Sequence, residues 1–328
     1  MAEAAAVVAD SVEAVLRRLE WSVIRRLDGL LQGDYRTLMR GAGLDLADLR
    51  EYQHHDDVRH IDWNVTARLQ TPHVRQFTED RELTAWFLLD LSGSVDFGSS
   101  DRSKRAVSTE FVAVLARLLT RHGNRVGALL FGSQVDAVLP ARGGRLHVLH
   151  LLQRMRDFKP PQSTTETNLR DLLQAAQQMI PRRSMVFVVS DFISAPGWSE
   201  AMARLSQKHE VLAVRLFDPA EMELPDVGLM TIQDAETGEQ VFVDTHDPGF
   251  RERFMQIAEQ RESELRSALT RAGVDTLELA TDDDLVSTVM RFTDMRRQRS
   301  RLSGGAAQSA RLPDRARGHM SAMEGAAA

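Results

Sequence analysis

The sequence predicts an α/β protein: a mostly parallel open sheet with one antiparallel edge hairpin and helices on both faces, preceded by a helical and charge-rich N-terminal region. Three observations predict it. The runs LTAWFLLDL from Leu83 and SMVFVVS from Ser184 are apolar without polar alternation, as strands buried on both faces must be. Stretches of helical periodicity ten or more residues long separate such runs, which is the alternation of a parallel sheet. Of 328 residues, 43% are apolar and 27% charged, enough for a large core and unlike a disordered chain.

The first helix is expected over about 10–33, where Val12, Val15, Leu16, Leu19, Val23, Leu27, Leu30 and Leu31 recur at helical spacing. Arg17, Arg18, Arg25 and Arg26 fall on its wet side; Asp10 with Glu13 forms a capping-box pattern, and Gly33 supplies a stop. Residues 40–80 are dense in charge but interleaved with apolar anchors, among them Leu46, Leu49, Tyr52, Ile61, Trp63 and Val74, so the segment should be ordered with its Arg and Asp paired. From Leu83 the α/β pattern begins. A helix follows the first strand, with Val107, Phe111, Val114, Leu115 and Leu118 on one side. RVGALLF (125–131) and VDAVLP (135–140) flank Gly132-Ser133-Gln134 and read as a hairpin. Helices are expected near 144–157, 168–180 and 197–208, and strands near 185–190 and 210–217. The run 229–245 alternates around Thr237-Gly238 as an inserted hairpin, before a long helix (248–272), a strand (274–280) and a closing helix (282–297). This gives an N-terminal region over 1–80 packing on a sheet domain over 81–297, and a disordered Arg-bearing tail over 298–328.

Composition narrows the function classes. Lys plus Arg number 41 and Asp plus Glu 47, a net −6, which argues against a dedicated nucleic-acid binder. The absence of Cys removes disulfides, thiolate metal sites and cysteine nucleophiles. No run approaches the ~18 apolar residues of a membrane span, and the N-terminus carries acid where a secretory signal carries base, so a cytoplasmic location is expected.

In open α/β sheets ligands bind beyond the carboxyl ends of the strands. After the first buried strand comes Asp90-Leu91-Ser92-Gly93-Ser94, a D-x-S-x-S pattern; after SMVFVVS comes Asp191; at the mouth of the intervening helix lies Thr164-Thr165-Glu166-Thr167-Asn168. Each presents hard oxygen. Mg²⁺ takes near-octahedral oxygen ligation and retains waters, so a few protein oxygens suffice. Two carboxylates balance a divalent charge, and hydroxyls ligate without adding more, leaving the ion electrophilic toward an outside carboxylate. D-x-S-x-S alone is a weak signal, because Asp and Ser also favour caps and turns. Its place at a strand end, with Thr167 and Asp191 at later element ends, favours the metal reading.

Asp90, Ser92, Ser94, Thr167 and Asp191 resemble the metal-ion-dependent adhesion site of von Willebrand factor type A domains. The stretch 50–68, REYQHHDDVRHIDWNVTAR, is similar to the signature of the bacterial family called domain of unknown function 58, with matches at Arg50, Tyr52, Asp56, Asp57, Arg59, Ile61, Asp62, Trp63, Ala67 and Arg68. His54-His55 stand where that family has Pro-Gly, and the paired membrane helices of its longer members are lacking, so the resemblance is to its short soluble form. The resemblance implies a type A fold, a Mg²⁺ (or Mn²⁺ or Ca²⁺) site on those five residues, and a MoxR-type AAA+ ATPase or its client as protein partner.

Three rival readings remain. His54, His55, Asp56, Asp57, His60 and Asp62 include types that suit a transition metal, although Asp–Arg pairing in a polar turn accounts for them better. A haloacid-dehalogenase-type phosphohydrolase also places an Asp after its first strand, but needs a second Asp where Ser92 stands. The Arg-rich end, from Arg296 and Arg297 to Arg317, suits nucleic acid by charge but lacks interleaved aromatics.

Overall fold

A computed structural model of the protein describes residues 12–24, 46–53, 58, 61–77, 83–99, 102–159, 167–233 and 240–302. The second half of the expected first helix, His54, His55, Asp56, Asp57, Arg59, His60, residues 164–166, the turn Thr237-Gly238 and the chain from 303 onward lie outside the described residues.

Helix α1 (Val12–Leu19) runs into a π turn, Glu20–Ile24, instead of continuing as regular α-helix. Leu16, Leu19 and Ile24 are buried and Val23 packs half-buried against the same core, so the apolar face carries on through the turn. The charge-rich segment forms β1 (Leu46–Glu51), a short helix α2 (Trp63–Leu69) and β2 (His73–Phe77). β1 and β2 pair antiparallel. Asp62 caps α2, its carboxylate accepting from the amides of Asn64 and Val65 at 3.0 and 3.1 Å, and its own amide donates to the His73 carbonyl at 2.8 Å. No strand is expected here from sequence, because LADLRE and HVRQF are too polar to read as strands; pairing with each other stabilises them.

The main sheet is built from β3 (Thr84–Asp90), β4 (Arg125–Phe131), β5 (Val135–Arg142), β6 (Met185–Ser190), β7 (Glu210–Phe217) and β10 (Asp275–Ala280). Between β7 and β10 an inserted hairpin of β8 (Leu229–Gln233) and β9 (Gln240–Asp244) forms a separate two-stranded sheet with Leu229 and Phe242 standing in solvent. Helices α3 (Lys104–Arg121), α4 (Arg145–Asp157), α5 (Leu169–Met179), α6 (Trp198–Lys208), α7 (Pro248–Ala272) and α8 (Leu285–Leu302) connect and close the fold. The sheet order is β10-β7-β6-β3-β4-β5, parallel throughout except for β5, which returns antiparallel on β4 at one edge. The mostly parallel sheet, its antiparallel edge hairpin and the helices on both faces are as expected from the sequence.

Alternation along the strands divides the core into two layers. Ala85, Phe87 and Leu89 face α1, α3, α4 and α8, whereas Trp86 and Leu88 face α5, α6 and α7. Phe87 stacks on Phe187 of the adjacent strand with ring centroids 5.1 Å apart. Gly127 on β4 is required by the Trp86 ring, which would lie 2.8 Å from a Cβ there. The end of the chain departs from expectation: α8 runs to Leu302, beyond the expected 297, and Arg296 is buried. Its guanidinium is not a solvated tail group. It holds Asp275 at 2.7 Å and Glu210 at 3.4 Å, tying α8 to β10 and β7.

Candidate cation site at the sheet switch point

Read from the β5 edge and counted in chain order, the six strands run 3-2-1-4-5-6, the order of doubly wound sheets in which the connections reverse direction between the first and fourth strands. Here those are β3 and β6. Their carboxyl ends diverge into loops on opposite faces and leave a crevice. β3 ends in Asp90, and Asp191 follows β6 directly.

Both carboxylates fold back on their own chain: Asp90 Oδ1 accepts from the Ser92 amide at 3.1 Å, and Asp191 Oδ1 from the Ile193 amide at 3.0 Å. Turn-forming and site-forming readings of these Asp residues are therefore compatible. The Ser190 hydroxyl donates to Asp90 Oδ2 at 2.6 Å and accepts from the Phe192 amide at 2.9 Å, so it joins the two strand ends. Phe192 holds φ at 60°, a left-handed conformation unusual for a bulky residue, and its ring packs on Trp198 at 5.2 Å between centroids. Ser92 precedes the 3-10 turn Gly93–Asp96 and Ser94 lies within it, with their hydroxyls 3.2 Å apart. Arg105 fastens this loop, donating to the Leu91 carbonyl at 3.1 Å and pairing with Asp96.

Thr167 opens onto the loop after Asp191. Its carbonyl accepts from the Ala195 amide at 3.0 Å and the Ser194 hydroxyl at 2.9 Å, and Ser194 in turn caps the Leu169 amide at 2.8 Å. The five residues of the expected set are all buried, from 1% exposed at Asp90 to 5% at Ser94. Hydrogen bonds join Asp90, Ser92 and Ser94 around one loop, while Thr167 is tied in through its backbone.

Electrostatics at the crevice favour a cation. Burial, and then the charge of Asp191, push the Asp90 carboxyl up to about 6 despite the hydrogen bonds from Ser190 and Ser92 that oppose the rise. Hydroxyl and carboxylate oxygens are the donors that hard cations take, and the one positive charge among the described groups bonded to this acid pair is the Lys104 ammonium, 2.8 Å from Asp191 Oδ2. The donor set thus fits Mg²⁺. Among the described residues no cluster of three or more His, Cys, Asp or Glu gathers for a metal, and this site offers two carboxylates with hydroxyls.

Besides Ser190 and Arg105, Lys104 and Glu221 belong to this neighbourhood although absent from the sequence-derived set. Lys104, with no exposed surface, donates to Asp191 Oδ2 at 2.8 Å and to Glu221 Oε1 at 2.6 Å. Burial alone would depress its pKa, but Asp191 and Glu221 more than offset that and hold it above the ordinary lysine value. The available signal was a Lys in the first turn of a helix, where the macrodipole disfavours a cation unless acids face it.

Of the family signature, Asp62 is the buried cap described above, Tyr52 is half-buried with its amide on the Pro72 carbonyl at 2.8 Å, and Arg50 lies on β1. Trp63 and Arg68 are exposed, Trp63 at 69%.

No helix among the described residues is long and apolar enough to cross a membrane. Residues 48–264 match the family described as Protein of unknown function DUF58. The uncharacterized protein Rv1480 of Mycobacterium tuberculosis is 37% identical over 291 residues, 89% of this chain and 91% of that one. The uncharacterized protein MAV169 of Mycobacterium avium is 32% identical over 167 residues, 51% of this chain and 97% of its own length. Among solved structures, BatB from Bacteroides thetaiotaomicron is 13% identical with a TM-score of 0.42, covering 66% of this chain and 99% of its own. An Rpn10 VWA domain is 12% identical with a TM-score of 0.37, covering 64% and 95%. At these scores the structural likenesses assign no role. The family match and the Mycobacterium tuberculosis relative both span most of the chain: it belongs to the DUF58 family.

Proposed function

We propose that this chain is a protein-interaction adaptor, not an enzyme, and that it captures its partner through a divalent cation. Asp90, Ser92, Ser94, Thr167 and Asp191 would hold Mg²⁺, with Mn²⁺ or Ca²⁺ as alternatives. When bound, the ion supplies an electrophilic position to which an acidic side chain of the partner can add. The chain's own residues orient this: Ser190 and the Ser92 amide fix Asp90, Lys104 fixes Asp191, and Arg105 holds the hydroxyl loop in place. The family resemblance points to a MoxR-type AAA+ ATPase, or its client in protein assembly or maturation, as that partner, with both proteins in the cytoplasm.

The observation that carries the reading is the placement of two buried carboxylates and two buried hydroxyls at the switch point of the sheet. Chemistry of the haloacid-dehalogenase type is disfavoured by Ser92, since a hydroxyl cannot serve as the acid–base group that such phosphoryl transfer needs two residues after the nucleophile. The test is retention of the MoxR-type ATPase on immobilised full-length chain. Capture should require Mg²⁺, disappear with EDTA and with Asp90→Ala, and be accompanied by no turnover of an aryl phosphate. Capture that survives both treatments overturns the metal bridge; turnover lost in Asp90→Asn would make the protein an enzyme.

A further inference from the structure

Lys104 is a fully buried charge that spans two segments distant in sequence: the loop after β6 and the 3-10 turn Pro219–Glu221 after β7. Its two acceptors are unequal. The Asp191 side chain is 1% exposed, whereas that of Glu221 is 26% exposed. Glu221 is also held independently of the lysine, because its second carboxylate oxygen accepts from the Asp218 amide at 3.0 Å. Asp218 in turn is fixed by the Ser99 amide at 2.9 Å and the Thr281 hydroxyl at 2.7 Å. One ammonium is thus shared between a carboxylate of the candidate cation site and a carboxylate outside it.

We propose that Lys104 is an internal counter-ion that sets how strongly the Asp90–Asp191 site draws a divalent cation, with Glu221 as the reserve partner that keeps the ammonium compensated when Asp191 turns toward metal. The inference rests on the cation reading of that site. Ionised, Asp90, Asp191 and Glu221 carry three negative charges, which Lys104 reduces to two, the charge one divalent ion neutralises. A fixed positive charge 2.8 Å from Asp191 Oδ2 repels an incoming cation strongly in a poorly solvated place. It also occupies lone pairs that a metal would use. Removing the lysine therefore deepens the site. Removing Glu221 has the opposite effect, because the ammonium then has Asp191 as its sole carboxylate partner and a metal must displace it without a substitute.

The test is Mn²⁺ binding to the full chain, read by the electron paramagnetic resonance signal of free Mn²⁺ and by melting with and without the metal. Lys104→Met should bind Mn²⁺ more tightly by about tenfold or more, melt lower than wild type without metal, and gain more on adding it. Glu221→Gln should bind more weakly, by about threefold or more. Opposite signs are the signature, since mere structural damage weakens both. Wild-type binding that is lost in Asp90→Asn, with both variants unchanged or shifted in the same direction, overturns the counter-ion role and leaves the cation site standing. Absence of binding in wild type and every variant overturns the site and this role together. Binding by Lys104→Met and not by wild type supports the counter-ion role while overturning the metal bridge in the native chain. If Lys104→Met does not fold, Lys104→Gln takes its place: tighter binding there with weaker binding in Glu221→Gln supports the proposal, and any other pattern overturns it.

Discussion

At the scale of single residues, the charge at Asp90 is held against its environment. Burial and the facing Asp191 disfavour its ionised form, so a neutral isostere should stabilise the metal-free fold. Asp90→Asn is expected to raise the melting temperature by a few degrees at pH 8 without divalent cations while abolishing Mn²⁺ binding; calorimetry with and without metal checks both. Glu210 and His209, neighbours at the start of β7, make the fold sensitive to pH in opposite directions. Burial pushes Glu210 up to about 7 although Arg296 opposes the rise, and burial, with Lys208 nearby, pushes His209 down to about 4. Between roughly pH 4.5 and 7 the folded Glu210 keeps a proton that the unfolded chain has released, so its contribution to stability falls as pH rises. Between about 4 and 6.5 the unfolded His209 binds a proton that the folded ring refuses, so its contribution rises with pH. The two oppose each other over most of the acid range and part near neutrality, where the Glu210 loss is fully developed. Glu210→Gln should accordingly gain stability relative to wild type as pH rises from 5 to 7.5, read by urea unfolding at both values. Asp90, Ser92, Ser94, Thr167 and Asp191 were legible as oxygen donors because each falls at an expected element end. Lys104 was not: a lysine opening a helix declares itself only when the acids facing it, Asp191 and Glu221, are known.

At the scale of elements, the signature helix α2 separates residues that build the fold from residues that do not. Asp62 caps two amides and is buried, so Asp62→Ala should cost about 1 kcal/mol. Its neighbour Trp63 is 69% exposed, and Trp63→Ala should change stability by less than about 0.5 kcal/mol. Chemical denaturation of the pair tests the contrast, and equal losses would show that Trp63 is structural. On β4, Gly127→Ala sets a methyl 2.8 Å from the Trp86 ring and should cost about 1–3 kcal/mol through the shift it forces. Periodicity identified the long, strongly patterned elements: α7 falls on the expected 248–272 and β7 on the expected 210–217. It missed β1 and β2, whose polar sequences acquire strand geometry from each other, and the π turn at Glu20–Ile24, because a single added residue leaves no trace in a helical pattern.

Across the whole molecule, buried ion pairs lock the late elements onto the sheet. Arg215 of β7 holds Glu262 of α7 at 2.5 Å and Glu278 of β10 at 3.3 Å, and Arg296 joins α8 to both of those strands. Arg296→Met strands Glu210 and Asp275 without their guanidinium and should cost about 3 kcal/mol, measured as a drop in denaturation midpoint. By itself the sequence determined the α/β class, the buried strands, the helices between them and the hydroxyl and carboxylate residues at their ends, since all of these depend on spacing along a short stretch of chain. Only the tertiary structure decided that Asp90 and Asp191 meet at a reversal in strand order, that Ser190 joins them, that Lys104 is shared with Glu221 and that Arg296 belongs to the interior. Those facts depend on which segments close on one another across separations that run from 21 positions for Arg296 and Asp275 to 117 for Lys104 and Glu221. Closure of that kind is governed by the packing of two core layers on one twisted sheet, which no local pattern records.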